Sequence, residues 1–177
     1  MTSDHRPPLS VLGFWDRKQN GRLAVDGPDG RPVAFITTHA FSVSRFEVTD
    51  AGGNPLCAGT KESRHCEARD PRGALLVTYT TGWRTGVATL ANGKALSIPG
   101  AWLHADWRAI AEDGSVALSS ALAPRPLRSM FHPDAWLVAV HDATLGLSEV
   151  VAIVQLHRIA VQATRRIWMN SPTLTSG

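Results

Sequence analysis

Two short stretches pair a histidine with an aspartate two residues on: "HAD" at 104–106 and "HPD" at 132–134. On a strand that spacing puts both side chains on one face, where a carboxylate orienting an imidazole could begin a metal site or an acid–base pair. An enzyme of this kind would need both stretches to converge in one cleft. The competing reading is solvated loop residues ahead of strands. "GLSEV" at 146–150 comes nearest to a nucleophile elbow, but valine stands where the second glycine belongs. Ser148 reads better as a helix N-cap, with Glu149 complementing the positive end of the helix dipole. No P-loop, GxGxxG or HExxH is present. His157, inside an apolar helix, reads as a hydrogen-bonded core or rim residue. The six tryptophans read as core or rim fillers, since a base-stacking platform would want interleaved Arg/Lys on one face. Cys57 and Cys66 form no CxxC pair and read as reduced, partly buried thiols, with a disulfide as the alternative. The residues therefore point away from catalysis: no catalytic residue, no metal and no cofactor is expected.

The elements that would carry these residues are set by turns. "DGPDGRP", "DAGGNP", "DPRGA", "ANGKA" and "EDGSV" recur with Gly30, Gly53, Gly73, Gly93 and Gly114 at intervals of roughly 20 residues. Such Asx–Gly and Gly–Gly stretches supply the positive φ of tight hairpins. Between them lie short segments of strand chemistry, among them "RFEVTD", where Phe46 and Val48 face one side and Glu47 and Thr49 the other. With "LSVLGFW" ahead of Asn20–Gly21 and "AWLVAVH" near the end, twelve strands are predicted. Regular hairpins at this spacing mean an antiparallel sandwich or a closed barrel. One domain over 9–167 is expected, with a flexible N-terminus at 1–8 and a flexible tail at 168–177.

"LSEVVAIVQLHRIAVQA", residues 147–163, is the most apolar stretch. Val150 to Val154 is apolar on every face, while Gln155, Arg158, Gln162 and Arg165 fall on one polar stripe. That pattern predicts a helix over about 148–163 that plunges into a core and emerges. A membrane span is excluded. Seventeen residues reach only about 25 Å against a hydrocarbon layer of ~30 Å, and His157 and Arg158 interrupt the run. A barrel of twelve strands needs filling, and an apolar axial helix would fill it.

Composition leaves the partners open but bounded. The chain is 44% apolar and 19% charged with a net charge of +3. That is an ordinary globular mix without the dense basic patch of a nucleic-acid binder. "MTSDHRPPLS" shows no apolar signal-peptide region, so a cytoplasmic location is expected, with a peripheral place on a membrane as the alternative. If every connection reverses the chain, alternate connectors share an end of the barrel. One end then collects Arg17, Lys18, Lys61, Arg64, Arg84, Arg125 and Arg128. The other collects Asp26, Asp29, Asp50, Asp70, Glu112, Asp113 and Asp142. Arg17, Lys18, Lys61, Arg64, Arg84 and Arg128 form the candidate binding rim, for anionic lipid head groups or an acidic protein surface.

Serial "xDxxGxP" hairpins followed by "WLVAVHDATLGLSEVVAIVQLHRI" resemble the tubby-like superfold, closest to the LURP-one-related proteins and their phospholipid-scramblase relatives. The resemblance spans roughly residues 9 to 165. It implies a mainly β fold, a closed antiparallel barrel of about twelve strands around a C-terminal hydrophobic helix. It also implies a non-enzymatic binding or scaffold protein, since tubby barrels bind phosphoinositides and scramblase relatives act at membranes. The helix departs from the LURP-one pattern by ending in "HRIAVQATRRIW" instead of an acidic cluster. The alternatives are a carrier of a small hydrophobic ligand beside Val151 to Leu156, and a His/Asp-based enzyme.

Overall fold

The computed structural model describes residues 9–19, 22–38, 45–62, 65–82, 85–99, 106–122 and 136–169. Twelve strands run β1 (Ser10–Gln19), β2 (Arg22–Asp26), β3 (Pro32–Thr38), β4 (Arg45–Asp50), β5 (Pro55–Glu62), β6 (His65–Arg69), β7 (Leu75–Thr81), β8 (Thr85–Leu90), β9 (Ala95–Pro99), β10 (Arg108–Ala111), β11 (Val116–Leu122) and β12 (Trp136–Val140). Each pairs antiparallel with its neighbours in sequence, and β12 pairs with β1, closing the barrel. The mainly β, twelve-strand barrel is thus the observed fold, and it leaves no free edge.

The turns close it as their chemistry dictates. Gly30, Gly53, Gly73, Gly93 and Gly114 all have positive φ, between 74° and 88°. At the β6–β7 turn, Asp70 Oδ1 accepts the backbone N–H groups of Arg72 at 2.9 Å and Ala74 at 2.8 Å, while Gly73 sits in the left-handed region at φ 84°. This is a type I turn with a glycine bulge, and the register shift between Ala68 and Arg69 is its signature. Because every hairpin reverses the chain, these five turns share one end of the barrel, here the turn end. The opposite end, where β1 ends and β2 begins, is the far end. There Gln19 pairs with Arg22, where β1 passes into β2.

Alternation sends one face of each strand inward. In β4, Phe46 and Val48 are buried while Arg45 and Glu47 are exposed. The barrel is filled by α1 (Leu147–Met169), which enters from the turn end. Val151, Ile153, Val154 and Leu156 are 0% exposed, and the helix packs against the β5–β8 side. Lys94 forms an ion pair with Asp142, tying the β8–β9 hairpin to the connection that leads into the helix.

Three details of the helix differ from expectation. It caps on Gly146 instead of Ser148: Glu149 Oε2 accepts the Gly146 N–H at 2.8 Å while Val150 N–H reaches the Gly146 carbonyl at 3.0 Å. Glu149 is thus the return half of a capping box, and its reach selects the first residue. The helix also runs to Met169 instead of 163, because no glycine or proline interrupts the chain before Pro172. Finally, burial continues through Val161, and Gln155 and Arg158 of the polar stripe are buried with it. The lumen encloses more of the helix than amphipathicity implied. Among the described residues, no helix is long and apolar enough to cross a membrane.

Candidate functional site

Beyond Leu156 the lining of the lumen changes character. Tyr79 points inward from β7, Trp107 stands one residue before β10, Trp136 opens β12, and His157 lies on the helix. Their rings pack together: the centroid of His157 is 4.9 Å from Trp107, 5.8 Å from Trp136 and 5.9 Å from Tyr79, and the two tryptophans are 6.3 Å apart. Arg158 adds its guanidinium 5.5 Å above the Trp136 ring, within cation–π range. All five side chains are buried.

The polar atoms of this cluster are unevenly met. The Tyr79 hydroxyl lies 2.8 Å from His157 Nδ1. Burial pushes the imidazole down to about 3, so the ring is neutral, and burial also holds the Tyr79 phenol above its ordinary range. The phenol keeps its proton. Donating it to Nδ1 satisfies both partners and leaves the ring proton on Nε2. Three N–H donors, Trp107 Nε1, Trp136 Nε1 and His157 Nε2, then have no acceptor among the described residues, and Gln155 Oε1 has no donor. A buried donor left unmet costs about 1–3 kcal/mol.

Space around Tyr79 is reserved by a glycine. A Cβ on Gly86, across the β7–β8 pair, would overlap the Tyr79 hydroxyl and come within 2.6 Å of its Cζ. Gly86→Ala is therefore expected to push Tyr79 off His157 and cost about 1–3 kcal/mol by overpacking. Thermal denaturation checks it. The cost should shrink when Gly86→Ala is made in a Tyr79→Phe background, and an unchanged cost would detach the glycine from this hydrogen bond.

The sequence-predicted rim is only partly described. Arg17 and Lys18 lie in the half of β1 that runs toward the far end, with Lys18 paired to Leu23. Lys61, near the end of β5, is half-buried on the inward face that also carries Cys57 and Gly59, opposite Cys66. Arg64, Arg84, Arg125 and Arg128 lie outside the described residues. So do His104, His132 and Asp134, while Asp106 is exposed at the far end. The strand starts add cations that a reading confined to connectors missed. Arg22, Arg45 and Arg108 are the first residues of β2, β4 and β10, all exposed at the far end. Counting hairpin parity into the strands themselves would have found them. Arg17, Lys18, Arg22, Arg45 and Lys61 thus fall on the contiguous run β1–β5, interspersed with Asp16, Glu47 and Glu62. At the turn end stand Asp26, Asp29, Asp50, Asp70, Glu112, Asp113 and Asp142, with Arg31, Arg69, Arg72 and Lys94 among them.

Cys57 and Cys66 are free, buried thiols, pushed up by burial to about 12 and about 11, with Lys61 acting against the second shift. Among the described residues no three His, Cys, Asp or Glu side chains gather as metal ligands.

The chain is similar in structure to a protein from Arabidopsis thaliana solved by X-ray crystallography, with a TM-score of 0.59 and 14% sequence identity. The match covers 89% of this chain and 91% of that one. The likeness is one of fold. It extends over nearly the whole barrel and helix, the architecture that the tubby-like resemblance implied. No family model and no curated protein matches the sequence.

Proposed function

We propose that this protein is a non-enzymatic binding module of the tubby-like, LURP-one-related kind, which docks on anionic phospholipid through the far end of its barrel. The observation that carries the reading is the basic run across neighbouring strands: Arg17, Lys18, Arg22, Arg45 and Lys61 on β1–β5. Strands lie about 4.8 Å apart, so the four that carry these residues, β1, β2, β4 and β5, span roughly 20 Å with β3 between them, wide enough to meet several head groups at once. The acid-rich turns stand at the opposite end, which would orient the barrel with its far end toward a negative surface. In this reading the protein is cytoplasmic and peripheral to the membrane. The carrier alternative is disfavoured, because the helix face at Val151 to Leu156 is packed against the strands with these side chains 0–3% exposed.

Sedimentation with phosphatidylserine-containing vesicles is the test, with pure phosphatidylcholine vesicles as the control. Binding should appear only with the anionic vesicles and weaken with salt, as exposed charges become screened. Each basic residue near such a surface contributes about 1 kcal/mol, so Arg22→Glu with Arg45→Glu should lower partitioning by more than about tenfold without lowering the melting temperature. Equal binding to both vesicle types, or none to either, would overturn the lipid reading. Retention instead on a purified acidic protein, lost in the same double variant, would move the arc to a protein partner.

A further inference from the structure

We propose that the last turn of α1 enters the interface of an anionic bilayer and anchors the far end of the barrel there. This deepens the lipid reading and rests on it: the basic arc on β1–β5 supplies the attraction, and the helix end supplies an apolar contact that attraction alone lacks. Levels along the barrel place that end. The His157 ring lies 4.9 Å from Trp107, one residue before β10, and 5.8 Å from Trp136, the first residue of β12. His157 therefore stands level with the far ends of β10 and β12. On the other side β7 ends at Thr81, two residues past Tyr79, which holds His157. From His157 the helix continues twelve residues to Met169, about 18 Å at ~1.5 Å per residue. The strand that keeps pace with it is β1. Phe14 pairs with Trp136, and β1 runs on five residues to Gln19, roughly 17 Å before tilt shortens it. The helix end and the β1–β2 pair thus reach a similar height, beyond β7, β10 and β12, and Arg17, Lys18 and Arg22 lie on that pair.

The helix finishes with "RRIWM", residues 165–169. Arg165 and Arg166 complement the negative end of the helix dipole, so cations there have a purely structural explanation. Ile167, Trp168 and Met169 have no such explanation. Consecutive helical positions are about 100° apart, so the three together span about 200°, more than a single strand pair on one side can cover. A tryptophan beside cations is the composition of a membrane–water boundary, where an amphipathic ring sits at head-group level. The energetics call for such a contact. Acids (Asp16, Glu47 and Glu62) are interspersed in the basic arc and dilute its attraction. Peripheral binding grows with charge attraction plus buried apolar area, and stable anchoring takes two signals. An acidic protein surface would match the arginines and offer nothing to the apolar tip, whereas an anionic bilayer takes both.

The experiment uses the full chain. Cys57 and Cys66 are buried thiols pushed up to about 12 and about 11, so a cysteine introduced as Met169→Cys is the one that takes a nitrobenzoxadiazole label. Vesicles of phosphatidylserine and phosphatidylcholine should brighten and blue-shift that label, and nitroxide-bearing lipids should quench it. The same label at Asp113→Cys, at the turn end, should not respond. Trp168→Ser should lower partitioning onto these vesicles about tenfold while keeping the wild-type salt dependence, because it removes apolar contact and no charge. Its melting temperature should stay within about 2 °C of wild type, as for a substitution outside the core. Sedimentation with anionic vesicles, but no label response and no loss in Trp168→Ser, would overturn the anchor and leave the strand arc as the whole site. No sedimentation of wild type with anionic vesicles would remove the lipid reading and the anchor with it. A melting temperature several degrees lower for Trp168→Ser, with the label indifferent to vesicles, would mean that the last turn packs on the barrel, and this too overturns the anchor. Should Trp168→Ser fail to fold, the labelled Met169→Cys protein decides alone.

Discussion

Replacing Ile153 by Asp is expected to leave no cooperatively folded protein. Ile153 is 0% exposed at the middle of the helix segment that fills the barrel, flanked by Ala152 and Val154, also at 0%. Two effects add. Losing the buried side chain costs about 2–5 kcal/mol, as in large-to-small core substitutions. Its replacement must then bury a carboxylate without a partner or hold it protonated, which costs several kcal/mol more. Domains of this size are stable by about 5–15 kcal/mol in total, so the sum consumes most or all of it. Ile153→Val, which only trims a methyl group, should cost about 1 kcal/mol and serves as the control. Circular dichroism in the aromatic region and thermal melting read the result. A cooperative transition within a few degrees of wild type for Ile153→Asp would mean the helix can leave the lumen without unfolding the barrel, and the helix-as-core account would fall.

The same local physics explains why the fold was legible. A positive-φ glycine after an Asx residue is a statement about a turn that no distant contact needs to complete, and all five such glycines have it. Alternation in "RFEVTD" likewise fixes which side chains enter the barrel before the partner strands are known. With hairpin parity these two signals give the closed order of strands, and the unbroken apolar run Val150–Val154 supplies what must fill the lumen. The cap was not legible in the same way. Ser148 has the better capping side chain, and only the reach of Glu149 back to Gly146 decides between two starts two residues apart.

The ring cluster was less legible still. Trp107, Trp136 and His157 are each unremarkable alone, and the reading of His157 as a hydrogen-bonded core residue holds through Tyr79. Their meeting depends on register and on helix rotation. Ser120 N–H bonds to the Trp107 carbonyl at 2.8 Å and Leu122 pairs with Trp136, so β11 sets the two tryptophans near the same height of the barrel. The helix must then turn His157 toward them while keeping it on Tyr79 of β7, one of the strands against which the helix packs. No spacing along the chain encodes that coincidence. A histidine embedded in an apolar helix was the signal available, and it pointed to the residue without pointing to its company.

Acid should destabilise the protein through His157, in a window set by its burial. The imidazole stands at about 3 in the fold against an ordinary 6.5, because burial disfavours its charged form. Above pH 6.5 the ring is neutral in both folded and unfolded chains and contributes nothing to the pH dependence. Below it the unfolded chain binds a proton that the native ring refuses, so stability falls as pH falls, by ~1.4 kcal/mol per pH unit, until the native ring also charges near pH 3. Between pH 6.5 and 5 the loss is about 2 kcal/mol, and over the whole window about 5 kcal/mol, comparable with the stability of a small domain. Urea unfolding across that range should show His157→Gln losing less stability than wild type by these amounts, even if the variant starts lower at neutral pH. Parallel slopes would mean the imidazole is not held neutral by burial. An independent reading comes from the native protein alone, since the His157 ring protons should keep constant chemical shifts from pH 7 to about 4. A midpoint near 6 would require the ring to charge inside the fold, and that needs either water or a carboxylate at Nε2, the atom left without a partner among the described residues.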